Sequence, residues 1–293
     1  MSQRLLAPHQ REMMPAGLGE AWFHQIIRFR VARPAQHDPL MACLNRVRGA
    51  WGNRLADAAS PAALAGAPCT FHPPCALDVF MREQGRIDAR TGVPKPYVFA
   101  IEPHRAHLDV RLTVFGFACE WALPAREALG AALARDTIWR EGATGTQLEA
   151  QEIITVDALP VPPAPDAVLM RFQTPVDMPS ADALQSATSV VTRSATRVAA
   201  MARWMDMGIE PEFTEIEAAC DALGFGIMSL DISTARRGSR RQDAWYENDV
   251  ALGEFIIEGD LAPIWPWLYL AQTTHTGRGA TAGYGRYTLE GLG

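Results

Sequence analysis

The residues best suited to chemistry lie in a glycine-rich segment late in the sequence, from His275 to Tyr287, which holds four glycines and two arginines. Glycine permits φ angles above zero and a close approach to the main chain, so N–H groups can point at phosphate oxygens while arginine supplies charge. The alternative is a tight turn before a strand. The spacing matches neither a G-x-x-x-x-G-K-[ST] phosphate loop nor a G-x-G-x-x-G dinucleotide loop. The residues that could contact an anion here are His275, Gly277, Arg278, Gly279, Gly283, Gly285 and Arg286.

Positive charge elsewhere is also carried by arginine, since Lys95 is the only lysine. Arginine suits bidentate phosphate contacts and stacking on bases, although a GC-rich genome would produce the same bias. The arginines cluster at residues 28–33, 46–54, 236–241 and 278–286. The cluster at 236–241, here called the basic turn, could follow the phosphates of an RNA hairpin or could be a solvated hairpin tip. Its arginines are Arg236, Arg237, Arg240 and Arg241.

The overall composition limits these interpretations. The net charge of −6 and the pI of about 5.7 exclude a uniformly basic surface, so any nucleic-acid contact must use clustered charge. With 48% hydrophobic and 20% charged residues, the composition is that of an ordinary globular protein. The sequence has no apolar run long enough to cross a bilayer and no signal peptide, so we expect a cytoplasmic protein without a membrane partner.

The five cysteines are odd in number and scattered, which favours reduced thiols over a disulfide framework. Cys69, His72 and Cys75 could offer zinc three ligands, but no fourth ligand is near in sequence and two prolines interrupt the run. We therefore expect no metal and no cofactor.

The elements that would position the candidate residues repeat one plan. Alternation from Trp22 to Val31 predicts a strand with a basic face, and Asp38-Pro39 predicts the N-cap and first residue of a helix that ends near Ala58. Further strands are predicted at 76–82, 97–102, 107–119 and 151–156, with a helix at 124–135. The second half predicts strands at 167–174, 224–234, 252–257 and 286–289 and helices at 180–207 and 264–273.

Both halves follow the order strand-helix-strand-strand-helix-strand, and a proline-rich stretch at 158–166 reads as a stiff linker. The predicted fold is therefore α+β, with two tandem ferredoxin-like (βαββαβ) domains at residues 1–157 and 167–293.

Four motifs occur in an order typical of one family. They are Arg48-Gly49-Ala50-Trp51-Gly52 with Leu55, Tyr97 to Glu102-Pro103, Phe172-x-Thr174-Pro175, and Gly259-Asp260-Leu261 with Trp267-Leu268 and the glycine-rich segment. In this combination the chain resembles the CRISPR-associated RAMP endoribonucleases that process precursor CRISPR RNA. The glycine-rich segment is the specific part, and the other motifs matter because of their order. The resemblance implies the same double ferredoxin-like fold.

The resemblance also implies a metal-independent cut, in which a ribose 2′-hydroxyl attacks the adjacent phosphate. Family members often place a histidine just after the first strand or in the first helix, where His37 lies, with His24 as the alternative. Histidine suits proton transfer because its pKa is near working pH. The family's tyrosine and lysine helpers are absent from this region. A second interpretation uses arginine charge to orient the RNA and stabilise the transition state, because arginine is a poor base. These arginines are Arg28, Arg30, Arg46 and Arg48.

The sequence therefore predicts an endoribonuclease that cuts CRISPR repeat hairpins and keeps the mature crRNA as a subunit of an effector complex. The alternative is a catalytically silent RAMP subunit that only binds guide RNA, which the missing helpers favour. An unrelated ferredoxin-like protein that binds a nucleotide would not explain the order of the four motifs. The arginine bias and the N-terminal departures would suit a divergent type IV member.

Overall fold

The computed structural model describes residues 1–7, 13–32, 38–89, 91–135, 138–139, 147–177, 184–239 and 244–292, with the backbone alone at 235–239 and 244–247. The chain forms two compact units. The first consists of Met1–Pro160, Ala200–Ile209 and Thr281–Gly283, and the second of Val161–Ala199, Glu210–Ala280 and Tyr284–Gly293. In these ranges no helix combines the length and the apolar character that a membrane crossing requires.

The first unit has the βαββαβ plan. Its elements are α1 (Ser2–Leu6), β1 (His24–Ala32), α2 (Leu40–Ala56), α3 (Pro61–Leu64), α4 (Ala76–Met81), β2 (Tyr97–Pro103), β3 (His107–Phe115), α5 (Ala122–Leu133) and β4 (Leu148–Val156). The four strands form an antiparallel sheet in the order β2-β3-β1-β4. With α2 and α5 as its two main helices, this is the ferredoxin-like arrangement predicted for the first half.

The core of this unit lies between the sheet and these helices. Trp51 of α2 is fully buried and contacts the rings of Phe80, Tyr97 and Phe99 at centroid distances of 5.3, 4.8 and 5.2 Å. Its indole N–H donates to the carbonyl oxygen of Ala125 in α5 at 3.0 Å. The apolar side chains of β1 face the same core, so the other face of the sheet is left for polar groups.

The second unit repeats the plan with two additions. Its elements are β5 (Ala167–Phe172), β6 (Val176–Asp177), α6 (Ala187–Ala202), α7 (Phe213–Asp221), β7 (Gly224–Ser239), β8 (Ala244–Glu258), α8 (Trp265–Thr274) and β9 (Tyr287–Gly291). The strands are paired in the order β6-β8-β5-β9, and β7 also pairs with β8. Without β6 and α7 this is a second ferredoxin-like unit, so the predicted fold is confirmed.

Several local predictions are wrong. Residues 76–82 were predicted as a strand but hold α4, in which Asp78 accepts hydrogen bonds from the Cys69 backbone N–H at 3.0 Å and from Arg82, one turn later, at 2.5 Å. Asp38 does not cap α2, because Pro39 occupies the cap position without a side-chain hydrogen bond and Asp38 pairs with Arg46 at 2.9 Å instead.

Other differences concern element ends. The strand predicted to reach residue 119 stops at Phe115, because Gly116 has a φ of 58° and begins a 3₁₀ helix. Of the helix predicted at 180–207, α6 covers 187–202, and residues 178–183 lie outside the described ranges. Helix α7 was not predicted.

Candidate nucleic-acid interface

The sheet of the first unit has a charged face on the side opposite its helices. Arg28 and Arg30 of β1 alternate with buried apolar residues and therefore share this face. Register places Arg28 opposite Glu152 of β4 and Arg30 opposite Asp109 of β3. Arg28 forms an ion pair with Glu152 and lies 4.0 Å from the Asp109 carboxylate, to which Arg30 donates at 3.3 Å. The two arginine side chains are 31% and 40% exposed, so both can reach a ligand.

Two histidines lie beside Asp109 on the hairpin between β2 and β3. Nε2 of His104 is 3.5 Å from one carboxylate oxygen, and Nε2 of His107 is 3.6 Å from the other. Their rings stack with centroids 4.4 Å apart. His107 pairs with Ala32, the last residue of β1, so the cluster lies at the sheet end where β1 finishes. This cluster was not predicted, although the spacing His104-x-x-His107-x-Asp109 at the start of a predicted strand was a usable signal.

Arg46 and Arg48 of α2 belong to the helix side of the sheet. Arg46 donates to the carbonyl oxygens of Ile138 and Trp139 at 2.8 and 3.2 Å, and Arg48 donates to the Tyr97 hydroxyl at 3.1 Å. Burial raises the pKa of that hydroxyl, so it stays protonated. The structure therefore separates the four predicted catalytic arginines into two pairs on opposite faces.

Of the two histidines that the sequence offers for proton transfer, the structure describes only His24. His37 lies outside the described residues. His24 begins β1 and is only 4% exposed, beside the ring of Phe115 at a centroid distance of 5.8 Å. Burial lowers the pKa of His24 to about 4, so this imidazole is neutral at physiological pH and a weak proton acceptor.

The glycine-rich segment adopts a backbone that requires glycine. A Cβ on Gly285 would lie 1.8 Å from the carbonyl oxygen of Thr276, and a Cβ on Gly283 would lie 2.6 Å from Leu44 Cδ1 and 3.0 Å from the carbonyl oxygen of Phe99. Four of its glycines have φ between 68° and 88°: Gly277, Gly279, Gly283 and Gly285. The tight-turn alternative therefore describes its shape, and the glycines are explained by packing whether or not they contact a ligand.

The start of this segment is anchored in the second unit. His275 is 3% exposed and has a φ of 60°, and burial, together with the charges of Arg286 and Arg197, lowers its pKa to about 3. Arg197 of α6 donates to the carbonyl oxygen of Thr274 at 2.7 Å. His275 is thus a neutral, internal side chain, and its predicted contact with RNA would require the segment to open.

The exposed part of the segment carries Arg278. Its backbone N–H donates to the carbonyl oxygen of Asp177 at 2.9 Å, which fixes the chain while the side chain reaches solvent. Arg193 of α6 lies close enough for the charge of Arg278 to contribute to lowering its pKa, after the larger effect of burial. Two positive groups held near one another attract an anion. Arg193 was not predicted, and no local motif in the sequence marks it.

The described part of the basic turn lies at the end of β7, which pairs with β8. Arg236 and Arg237 are residues of β7, paired with Glu247 and Tyr246 of β8. Arg240 and Arg241 lie outside the described residues. Arg236 and Arg237 thus lie on a strand and not in a turn. Strand β7 ends later, and β8 begins earlier, than the predicted limits at 234 and 252.

Comparison with known proteins gives matches of fold. No family model matches the sequence, and no curated protein sequence matches it. Solved structures of Cas6 do match. A Cas6 substrate-mimic complex has a TM-score of 0.53 at 14% identity, with 92% of this chain and 99% of that chain covered. A product complex of Thermus thermophilus Cas6 has a TM-score of 0.53 at 15% identity, with 91% and 100% covered.

The matches extend over nearly the whole of both chains. The architecture of two tandem ferredoxin-like units is therefore a Cas6-like fold, which confirms the sequence resemblance at the level of fold.

Proposed function

We propose that this protein binds the hairpin of a CRISPR repeat RNA in the cytoplasm and cuts it to mature crRNA by metal-independent attack of a ribose 2′-hydroxyl. It then keeps the product as a subunit of an effector complex. The observation that carries this proposal is the Cas6-like fold over 91–92% of the chain. Cas6 structures of this fold are complexes with a product and with a substrate mimic.

Hairpin binding is assigned to the domain at 167–293. Double-stranded RNA is recognised through its shape and its phosphates, for which clustered arginine is sufficient. Arg278 is exposed near Arg193, and the basic turn adds four more arginines in sequence, two of them in β7. Together these groups would neutralise phosphates along one side of the RNA stem.

Cleavage is assigned to the domain at 1–157. His37 transfers protons, and the exposed guanidinium groups of Arg28 and Arg30 stabilise charge that develops on the phosphate. The ion pair of Arg28 with Glu152 does not prevent this, because both side chains are partly exposed and exposed pairs contribute only about 0–1 kcal/mol. Arg30 is held in place by the buried carboxylate of Asp109, with 40% of its side chain still exposed. Arg46 and Arg48 act by holding α2 to its neighbours.

A specific observation favours the second candidate, a silent RAMP subunit that binds guide RNA without cutting. His24 is buried, and Arg46 and Arg48 are engaged with backbone carbonyls and a tyrosine hydroxyl. Of the predicted catalytic residues that the structure describes, four are arginines and the one histidine is buried, so none of them is an effective general base.

The test uses purified protein in excess over end-labelled repeat RNA, in buffer with EDTA. We expect single-turnover cutting and a product that ends in a 2′,3′-cyclic phosphate. Repeat DNA of the same sequence, which lacks the 2′-hydroxyl, should remain uncut, and a scrambled RNA without a hairpin should bind weakly. Tight binding without cutting would identify the silent subunit. Cutting only with Mg²⁺ would refute the mechanism, and absence of repeat-specific binding would overturn the proposal.

A further inference from the structure

The His104–His107–Asp109 cluster has the composition of a transition-metal site. It combines two imidazoles with one carboxylate, a set that binds zinc and related first-row cations and that magnesium and calcium disfavour. One ring nitrogen of each histidine and a carboxylate oxygen all lie within 4.8 Å of one another. Among the described ranges this is the sole such grouping of three candidate ligands; Cys69 Sγ instead accepts backbone N–H groups from Phe71 and Cys75.

The distances in the cluster fit a shared ion better than hydrogen bonds. The two N···O separations are 3.5 and 3.6 Å, whereas N–H···O hydrogen bonds measure about 2.7–3.2 Å. Zinc bonds of about 2.0–2.1 Å at tetrahedral angles place neighbouring ligand atoms roughly 3.3 Å apart. A small inward movement of the imidazoles would therefore create the coordination distances.

A second observation comes from His107. Its Nε2 atom is shielded from solvent and has no hydrogen-bond partner, a costly arrangement for a buried polar atom. That atom faces the Asp109 carboxylate, which is itself 4% exposed. A cation between the two would satisfy the nitrogen and the carboxylate together.

The surrounding charges both support and weaken such a site. Arg30 donates to Asp109 and fixes the carboxylate, as outer hydrogen bonds commonly do for metal ligands. The charges of Arg28 and Arg30 oppose a cation, and the pairing of Arg28 with Glu152 offsets part of that repulsion. His104 is 44% exposed, which provides an entry path and leaves room for water as a further ligand.

We infer that His104, His107 and Asp109 form a binding site for a divalent transition cation of the zinc class. The site is distinct from the sequence-based candidates and replaces the expectation of a chain without a metal. It does not depend on the proposed RNA cleavage, and its affinity is lower than that of a four-ligand structural zinc site because of the two arginines. Cutting of RNA in EDTA and binding of the cation are separate measurements.

The test is titration of tag-free, chelator-stripped protein with Co²⁺, whose visible absorption reports tetrahedral coordination. We expect absorption that saturates at one equivalent per chain and disappears when Zn²⁺ is added. His104→Ala and His107→Ala should each weaken binding by more than about 10-fold. His72→Ala, which removes an exposed histidine elsewhere, is the matched control and should bind as the wild type does.

A thermal measurement guards against misfolded variants. Zn²⁺ should raise the unfolding midpoint of the wild type and of His72→Ala, because it binds the folded state, and should leave that of His104→Ala unchanged. Absence of stoichiometric Co²⁺ binding would overturn the inference. Binding that survives both His104→Ala and His107→Ala would overturn it as well, because the cation would then lie elsewhere.

Discussion

The two buried histidines predict a pH dependence of stability. Burial lowers the pKa of His24 to about 4 and is the main cause that lowers the pKa of His275 to about 3, against 6.5 when unfolded. Below pH 6.5 the two histidines therefore bind protons in the unfolded state but not in the folded state. The contribution of the two neutral histidines to the free energy of unfolding is fully present above pH 6.5 and is lost as the pH falls towards 4 and 3.

The size of this loss depends little on the folded pKa values. Each histidine costs about 1.36 kcal/mol per pH unit between its unfolded and folded pKa. Lowering the pH from 6.5 to 5 therefore removes roughly 2 kcal/mol for His24 and roughly 2 kcal/mol for His275. Such losses are a large part of an ordinary stability of about 5–15 kcal/mol.

The assay is urea unfolding at pH 7 and pH 5. His275→Asn removes the titrating group. The backbone at this position is strained for any side chain, with φ 60° and ψ 172°, and that strain is the same at both pH values and cancels in the comparison. This variant should lose about 2 kcal/mol less than the wild type between the two pH values, and addition of His24→Leu should remove a similar further amount. Gly49→Ala, which changes no titrating group, should keep the full wild-type loss. A His275→Asn protein with the full wild-type loss would refute the reasoning.

Three further predictions concern function and packing. If His37 transfers protons, His37→Ala should lower the rate of single-turnover cleavage by roughly 10²–10⁴-fold with RNA affinity intact. If charge stabilisation dominates, Arg28→Ala or Arg30→Ala should lower that rate by about 10²-fold. Cleavage rates measured at saturating protein separate the two mechanisms. Alanine at all four arginines of the basic turn should weaken hairpin binding and flatten its salt dependence, by about 0.9 in the log–log slope for each phosphate that is no longer neutralised; an unchanged slope assigns the turn to solvent. Gly283→Ala should destabilise the fold by roughly 1–3 kcal/mol through strain and overlap with Leu44, while Gly49→Ala, in open space on α2, should not; equal unfolding midpoints would contradict this.

The architecture was predictable because its signals are local. Alternation of Ile27, Phe29 and Val31 with arginines marks β1 and its two faces, and burial follows that pattern in the structure. Helix α4 was not predictable in this way. Val79 and Phe80 are residue types that favour strands. They lie in a helix because Asp78 accepts a hydrogen bond from the Cys69 backbone and forms an ion pair with Arg82, one helical turn later.

The candidate site was less predictable than the fold because it depends on strand register. Arg30 and Asp109 are 79 residues apart in sequence and meet only because β1 pairs with β3. The two arginines of α2 look equivalent to those of β1 in the sequence, and only the layering of helix on sheet separates them. Arg193 and Arg278 likewise approach one another through tertiary structure alone.

The first unit contains segments from distant parts of the sequence, which has a consequence for its folding during synthesis on the ribosome. Trp204 is fully buried in that unit, where its ring packs on Phe117 at 4.9 Å and its N–H donates to the carbonyl oxygen of Pro94 at 2.8 Å. Gly283 packs there against Leu44. Translation reaches residues 281–283 about 120 residues after Pro160, or roughly 6–25 s later at ordinary elongation rates. The apolar interior of the nascent first unit therefore stays partly uncovered until translation of the second unit is almost finished.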